Sequence, residues 1–143
     1  MDGAGSHPGQ ASNRLLVVIV NYKTAPLTVA CLRSLKPELE SLSGARVKVV
    51  DNASGDGPAL DDAIRSHGWG DWVTLEVAAR NGGFAAGNNM AIRPALALAD
   101  PPRFFMLLNS DTEVRAGALR ILLDFMDANP EVGIAGSGPS SMV

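Results

Sequence analysis

The sequence predicts an α/β fold in which helices cover both faces of a mainly parallel sheet. Apolar runs alternate with segments of helical period along the chain, and this alternation is typical of βα units. Residues 15–20 are apolar on both faces, as expected of a central strand covered from above and below. The four longer apolar runs also end in short polar residues. We predict one domain over residues 14–136.

Each predicted element has its own local signal. Thr24 is placed to cap the first helix, and Pro26 lies in its first turn. Val73, Leu75 and Val77 alternate with polar residues, which predicts a strand that is half exposed. In chain order, we predict strands near residues 15–20, 47–50, 73–77, 104–108 and 132–135, separated by four helices in a βαβαβαβαβ arrangement.

Composition narrows the function classes. Hydrophobic residues make up 46% of the chain and aromatic residues only 5%, so the core must be aliphatic. A net charge of −3 gives no electrostatic reason to expect nucleic acid as a partner. Cys31 is the only cysteine, which excludes an internal disulfide and a zinc site built from several thiolates.

The two ends of the chain differ from its middle. Residues 1–13 are rich in Gly, Ser and Pro, and we expect them to be a disordered leader, with an irregular tail over residues 137–143. The early aliphatic run over residues 15–20 is far shorter than the ~20 residues that cross a bilayer as a helix. We therefore expect no transmembrane segment, and a location in the cytoplasm or at the inner face of the membrane.

Polar side chains follow four of the predicted strands at the point where each strand ends. In a parallel sheet these positions lie along one edge, where ligands bind. The fourth strand runs into a cluster of short oxygen-bearing residues, and oxygen ligands suit Mg²⁺ or Mn²⁺. Asp111 is therefore a candidate metal ligand, and the alternative is that residues 109–112 only form a turn. The polar residues are Asn21 and Tyr22, then Asp51, then Asn81 to Gly83, then Asn109 to Asp111.

A glycine-rich segment over residues 80–89 leads into the third helix. Exposed backbone N–H groups and close approach at glycine suit an anion or a sugar. The alternative is that the glycines only permit a tight turn and contact between helix and sheet, with Asn88 bonded to loop backbone.

With these motifs in place, residues 15 to about 136 resemble the N-terminal, donor-binding half of glycosyltransferase family 2. This family contains inverting enzymes of GT-A fold, and the resemblance is greatest to its rhamnosyltransferase-like members. Four ordered segments carry it: Val18-Ile19-Val20-Asn21-Tyr22, Val49-Val50-Asp51-Asn52-Ala53-Ser54, Asn81-Gly82-Gly83-Phe84-Ala85-Ala86-Gly87-Asn88-Asn89 and Leu108-Asn109-Ser110-Asp111-Thr112-Glu113.

The resemblance implies a Rossmann-like domain that binds a nucleotide-diphosphate sugar, of dTDP-rhamnose or UDP-sugar type. Asp51 would bind the base, with Asn21 and Tyr22 lining its pocket, and Asp111 would hold Mg²⁺ or Mn²⁺ at the diphosphate. The implied reaction is inverting transfer of the sugar to the hydroxyl of a saccharide or lipid-linked glycan, as in cell wall or polysaccharide biosynthesis. The other implied donor-binding residues are Asn81, Gly82, Gly83, Asn88, Asn109 and Ser110.

Two departures from the family pattern affect these expectations. Asn109 stands where the metal motif usually has an acid, which lowers the charge offered to a cation; Glu113 is a candidate second oxygen. Family members also carry a second half that binds the acceptor and supplies the general base, expected here beyond Val143. We therefore assign no catalytic residue and expect a truncated chain that binds donor, is inactive alone and associates with itself through an exposed sheet edge.

Other function classes fit the sequence less well. A dinucleotide-binding oxidoreductase should carry a Gly-x-Gly-x-x-Gly pattern after the first strand, where this chain has Asn21-Tyr22-Lys23-Thr24. A phospho-acceptor signalling module would need acids near the same strand end. A nucleotidyltransferase-like nucleotide-binding domain and a non-enzymatic signalling or structural module are the alternatives.

Overall fold

The computed structural model of the chain describes residues 15–138, and in this range four strands alternate with four helices. The predicted leader lies outside the described residues, as does the predicted tail apart from residues 137 and 138, which form neither helix nor strand. The elements are β1 (Leu15–Asn21), α1 (Ala25–Glu40), β2 (Ala45–Asp51), α2 (Gly57–Ser66), β3 (Val73–Val77), α3 (Phe84–Leu96), β4 (Phe104–Asn109) and α4 (Ala118–Ala128).

The four strands form one parallel sheet in the order β3-β2-β1-β4. Its register aligns Asn21 with Asp51, and Val20 with Asn109. The carboxyl ends of β1, β2 and β4 are therefore level with one another. This arrangement confirms the predicted α/β class and the central position of β1, and it brings the polar strand ends to one edge.

The core is aliphatic and lies mainly on one face of the sheet. Val17, Ile19 and Val49 are fully buried on that face, against α1, α2 and α4. Val18 and Val50 point to the opposite face and pack with Ala91 of α3. Helices therefore cover both faces, as predicted. Within residues 15–138, no helix combines the length and apolar character needed to cross a membrane.

The predicted fifth strand over residues 132–135 is wrong, because this segment forms no ladder with β4 or any other described strand. Its backbone runs near β4 across a groove, and the side chain of Ile134 is 92% exposed. A short apolar run becomes a strand only when a neighbouring strand accepts its backbone hydrogen bonds. The observed order is thus βαβαβαβα.

The cap predicted for the first helix also differs from the structure. Thr24 occupies the N-cap position, but its side chain makes no capping hydrogen bond. Instead, the N–H group of Ala25 donates to Oδ2 of Asp56 at 3.2 Å. A carboxylate from the next βα loop thus satisfies a free N–H at the start of α1, where negative charge is favourable.

Candidate functional site

The side chain of Asn21 is the centre of a buried hydrogen-bond network at the end of β1. Its Nδ2 donates to Oδ1 of Asp51 and to Oδ2 of Asp56, both at 2.9 Å. Its Oδ1 accepts from the hydroxyls of Thr24 at 3.0 Å and Thr28 at 2.6 Å. Because an amide offers two donors and two lone pairs, its hydrogen-bonding capacity is fully used within the protein.

The carboxylate of Asp51 is also tied into the protein. Its Oδ1 accepts from the Ser54 hydroxyl at 2.6 Å as well as from Asn21, and its Oδ2 accepts from the Ser54 N–H at 3.2 Å. Ser54 also contacts the N–H group of Asp56 at 3.4 Å. The loop after β2 is therefore folded around the Asp51 carboxylate, and the described residues leave one lone pair on its Oδ2 unused.

Asp56 is a site residue that the sequence analysis missed. It accepts from Asn21 and from the first N–H of α1, so it connects the loops after β1 and β2. The only signal in the sequence was the dense set of oxygen-bearing turn formers from Asp51 to Asp56. A pattern of short polar residues predicts a turn but not which distant N–H each carboxylate will meet.

The end of β4 joins the same network through a contact between hydroxyls. Oγ of Ser110 lies 3.0 Å from Oγ1 of Thr24. The segment that follows is held against α1, because the N–H of Val114 donates to Oγ of Ser34 at 2.8 Å and that of Gly117 donates to the Glu38 carboxylate at 3.1 Å. Asp111 is thus an exposed side chain on an anchored segment.

The glycine-rich loop joins from the other side. Nδ2 of Asn52 donates to the carbonyl oxygen of Gly83 at 2.9 Å, and the N–H of Gly83 donates to Oδ1 of Asn81 at 2.9 Å. At Gly87, an added Cβ would lie 2.9 Å from Cγ1 of Val20, so this glycine serves close contact between helix and sheet. The loops after all four strands are thus joined by hydrogen bonds.

Asn88 is buried, with 4% of its surface exposed. Its Nδ2 donates to the carbonyl oxygen of Phe84 at 3.1 Å. Its Oδ1 is buried and has no hydrogen-bond partner among the described residues. The first contact agrees with the predicted alternative of a structural bond to backbone, while the second leaves one acceptor unused.

The predicted site residues differ in solvent exposure, from fully buried to exposed. Asn21 and Asp51 are fully buried, so they lie beneath the surface of the site. Tyr22 is 43% exposed. Asn88 is buried and Ser110 is half-buried. The other predicted residues are exposed: Asn81, Gly82, Gly83, Asn109 and Asp111.

The acidic segment after β4 suits a cation that takes most of its ligands from elsewhere. Within residues 15–138, no three His, Cys, Asp or Glu side chains form a group able to hold a metal ion. Mg²⁺ sites often use one or two carboxylates with substrate phosphates, and Asp111 with its oxygen-bearing neighbours fits that donor set. β4 ends at Asn109, so Glu113, the candidate second oxygen, lies beyond the strand.

The negative charge of the acidic segment after β4 affects the pKa of the buried Cys31 thiol. Burial, followed by the negative charges of Asp111 and Glu113, raises the pKa of the Cys31 thiol from 9.0 to about 11. Both carboxylates therefore lie on the side of α1 that carries this residue, whose Sγ is 4.0 Å from the carbonyl oxygen of Asn109.

The Cys31 pKa predicts a specific loss of stability in alkali. The native state holds the thiol proton more tightly than the unfolded chain, so this contribution is complete below pH 9 and is lost as the pH rises to about 11. The full loss is about 2–3 kcal/mol. Urea unfolding between pH 8 and 11 should show a smaller decline for Cys31→Ala than for the wild type. Parallel declines would contradict the prediction.

Residues 16–142 match the family model described as Glycosyl transferase family 2. The chain is similar to the mannosyltransferase PcManGT from Pyrobaculum calidifontis in complex with GDP-Man and Mn²⁺, with 25% identity and a TM-score of 0.62 over 79% of this chain and 32% of that one. No curated protein sequence matches it significantly.

TarS from S. aureus has the same fold over this region. Its 1–349 fragment matches with 20% identity and a TM-score of 0.63, covering 82% of this chain and 33% of the fragment. The fragment in complex with UDP-GlcNAc gives 20% identity and a TM-score of 0.62, covering 82% and 32%. The chain therefore spans about a third of the length of these solved structures.

Proposed function

The chain belongs to Glycosyl transferase family 2, and from this we propose that it binds a nucleotide-diphosphate sugar across the carboxyl ends of β1, β2 and β4. The observation that carries the proposal is the hydrogen-bond network from Asp51 through Asn21 and Thr24 to Ser110. It fixes the distance between the loop proposed for the base and the acidic segment proposed for the diphosphate.

Solvent exposure separates the proposed donor-binding residues that would contact the ligand from those that would position the loops. Tyr22, Asn81, Gly82 and Gly83 are exposed and are proposed to touch the nucleoside and the sugar. Asn21 is buried and saturated, so we propose that it acts by holding the loops in place. Asp51 is fully buried, so we propose that its Oδ2, which accepts the Ser54 N–H, also accepts a base N–H once the loop after β2 adjusts.

We propose that Asp111 holds Mg²⁺ or Mn²⁺, with Ser110 and Asn109 beside it. The complex of PcManGT with GDP-Man and Mn²⁺ supports a divalent cation in this family. When bound, the cation would neutralise charge on the departing nucleoside diphosphate. Asn88, with its unused Oδ1, is proposed to accept a hydrogen bond from the sugar side of the donor once the glycine-rich loop adjusts.

The reaction that we propose for the whole enzyme is inverting transfer of a hexosyl group to an acceptor hydroxyl. The general base stays unassigned, because Asp124, Asp127 and Glu131 are exposed on or just after α4. Asp127 is also paired with Arg103 at 3.1 Å. We therefore keep the prediction that this chain alone binds donor without turnover; acceptor-dependent glycosylation by the chain would contradict it.

The test of the proposed function is nucleotide binding by the purified chain. Melting temperatures should be measured with dTDP, UDP and GDP, each with Mn²⁺ and with EDTA. We expect at least one nucleotide to raise the melting temperature with Mn²⁺ and much less with EDTA, since the site offers few charges of its own. No shift with any nucleotide would contradict the proposal.

Donor and acceptor identity are the finer part of the proposal. The sequence resemblance favours a rhamnosyltransferase-like enzyme using dTDP-rhamnose or a UDP-sugar, acting on a saccharide or lipid-linked glycan. The same melting-temperature measurements rank dTDP, UDP and GDP as ligands. Preference for GDP over both dTDP and UDP would contradict this assignment while leaving donor binding intact.

Self-association is a separate prediction from the sheet edges. β4 is an edge strand of the described sheet, and Leu107 on it is 51% exposed. Edge strands with apolar side chains pair readily with other chains. Light scattering should show dimers or larger species as concentration increases, and Leu107→Lys should shift the population towards monomer. A concentration-independent monomer would contradict the prediction.

A further inference from the structure

We infer that the side-chain oxygen of Ser110 is a second protein ligand for the divalent cation proposed at Asp111, and that Thr24 holds this hydroxyl in the state needed to bind it. This inference rests on the proposed function, because it concerns the same cation. It comes from the direction of each hydrogen bond in the network, which the positions of the heavy atoms determine.

The hydrogen-bond directions are first determined at the side-chain amide of Asn21. Its Nδ2 lies 2.9 Å from one oxygen of Asp51 and 2.9 Å from one oxygen of Asp56. Ionised carboxylates only accept, so the NH₂ group must face them, and the amide oxygen must face the opposite side. In the part of the chain that the structure describes, the partners on that side are the two hydroxyls of Thr24 and Thr28, which therefore both donate to it.

The direction of the hydrogen bond between Thr24 and Ser110 follows from this. A threonine hydroxyl has a single hydrogen, and that of Thr24 is used at Oδ1 of Asn21. In the 3.0 Å contact between the Thr24 and Ser110 oxygens, Ser110 must therefore be the donor. Since the amide donates to two anions, its oxygen is a strengthened acceptor, which favours this arrangement over the reverse.

Ser110 is consequently left with lone pairs and no hydrogen to give. Such an oxygen cannot donate to a phosphate, whereas it can bind a cation. It is half-buried, and it directly precedes Asp111 in the sequence. A neutral hydroxyl ligand would also add an oxygen in a motif where Asn109 replaces the acid.

Direct measurement of Mn²⁺ binding tests the inference without any glycosyl transfer. Free Mn²⁺ is followed by electron paramagnetic resonance during titration of the chain in the presence of saturating UDP or GDP, whichever binds. Ser110→Ala should weaken Mn²⁺ binding about tenfold. Ser110→Cys should change metal preference, because sulfur favours the softer Cd²⁺ over Mn²⁺. The wild type already contains one thiol, that of the fully buried Cys31, so its metal preference is the reference for Ser110→Cys.

Thr24 supplies the matched test of orientation. Thr24→Val frees the Ser110 hydrogen and should weaken Mn²⁺ binding, while Thr24→Ser keeps the hydroxyl and should restore it. Circular dichroism melting of each variant separates loss of fold from loss of metal. If Ser110→Ala does not fold, Ser110→Cys and the Thr24 pair decide the outcome.

The outcomes distinguish this inference from the proposed function. Suppose that Asp111→Asn abolishes Mn²⁺ binding. The role of Ser110 is then overturned if Ser110→Ala binds Mn²⁺ as tightly as the wild type, or if Ser110→Cys has the same preference between Cd²⁺ and Mn²⁺ as the wild type. If Asp111→Asn binds Mn²⁺ as tightly as the wild type, or the wild type binds none with either nucleotide, the proposed cation site itself is wrong and the inference falls with it.

Discussion

Asn21→Leu is expected to destabilise the protein by about 3 kcal/mol, because leucine keeps the branching of the asparagine side chain but can make none of its four hydrogen bonds. The loss is greatest at Asp51, whose carboxylate is fully buried and would keep only the two donors of Ser54. Urea unfolding followed by circular dichroism at pH 7 measures the change.

Two further variants make the Asn21 result specific. Asn89→Leu makes the same replacement at an exposed position of α3 and should change stability by less than about 0.5 kcal/mol. Thr28→Val removes one donor to Asn21 and should cost about 1 kcal/mol. Equal losses in Asn21→Leu and Asn89→Leu would mean that the network does not stabilise the fold as described.

Asp111→Asn is expected to weaken Mn²⁺-dependent nucleotide binding by at least about a hundredfold, because the proposed cation would lose its charged protein ligand. Asp111 is exposed, so the fold should keep its stability to within about 0.5 kcal/mol. Isothermal titration with the best-binding nucleoside diphosphate and saturating Mn²⁺ gives the dissociation constant.

Asp124→Asn is the matched control for Asp111→Asn. Asp124 is also exposed and its replacement removes the same charge, but it lies on α4, away from the strand ends. The Asp124→Asn variant should bind nucleotide with the same affinity as the wild type. If both variants bind nucleotide like the wild type, the acidic segment after β4 has no part in donor binding.

Much of the fold could be predicted from the sequence because hydrophobic period is a local property. The run over residues 15–20 is apolar on both faces, and β1 is indeed the buried centre of the sheet. The alternation of Val73, Leu75 and Val77 predicted a half-exposed strand, and β3 is an edge strand. The predicted strand at residues 132–135 is wrong because pairing depends on a partner that a short apolar run does not specify.

The candidate site was predictable in its location and less so in its internal contacts. Polar residues after parallel strands must meet at one edge, so Asn21, Asp51 and Asp111 could be grouped without coordinates. Their exposure could not be predicted, since it depends on which loop covers which residue. Asp56 was missed because its partners, Asn21 and Ala25, are more than 30 residues away.

The order of residues was enough to predict the α/β class, the central strand, the aliphatic core and the edge of the sheet at which the polar strand ends meet. All of these follow from the spacing of apolar and polar residues along a short stretch of chain. Three features are seen only in the three-dimensional structure: Asn21 is saturated and buried, Asp56 caps α1, and Thr24 contacts Ser110. The physical reason is that a hydrogen bond depends on distance and direction between groups that the sheet brings together, and neither is recorded in the order of residues.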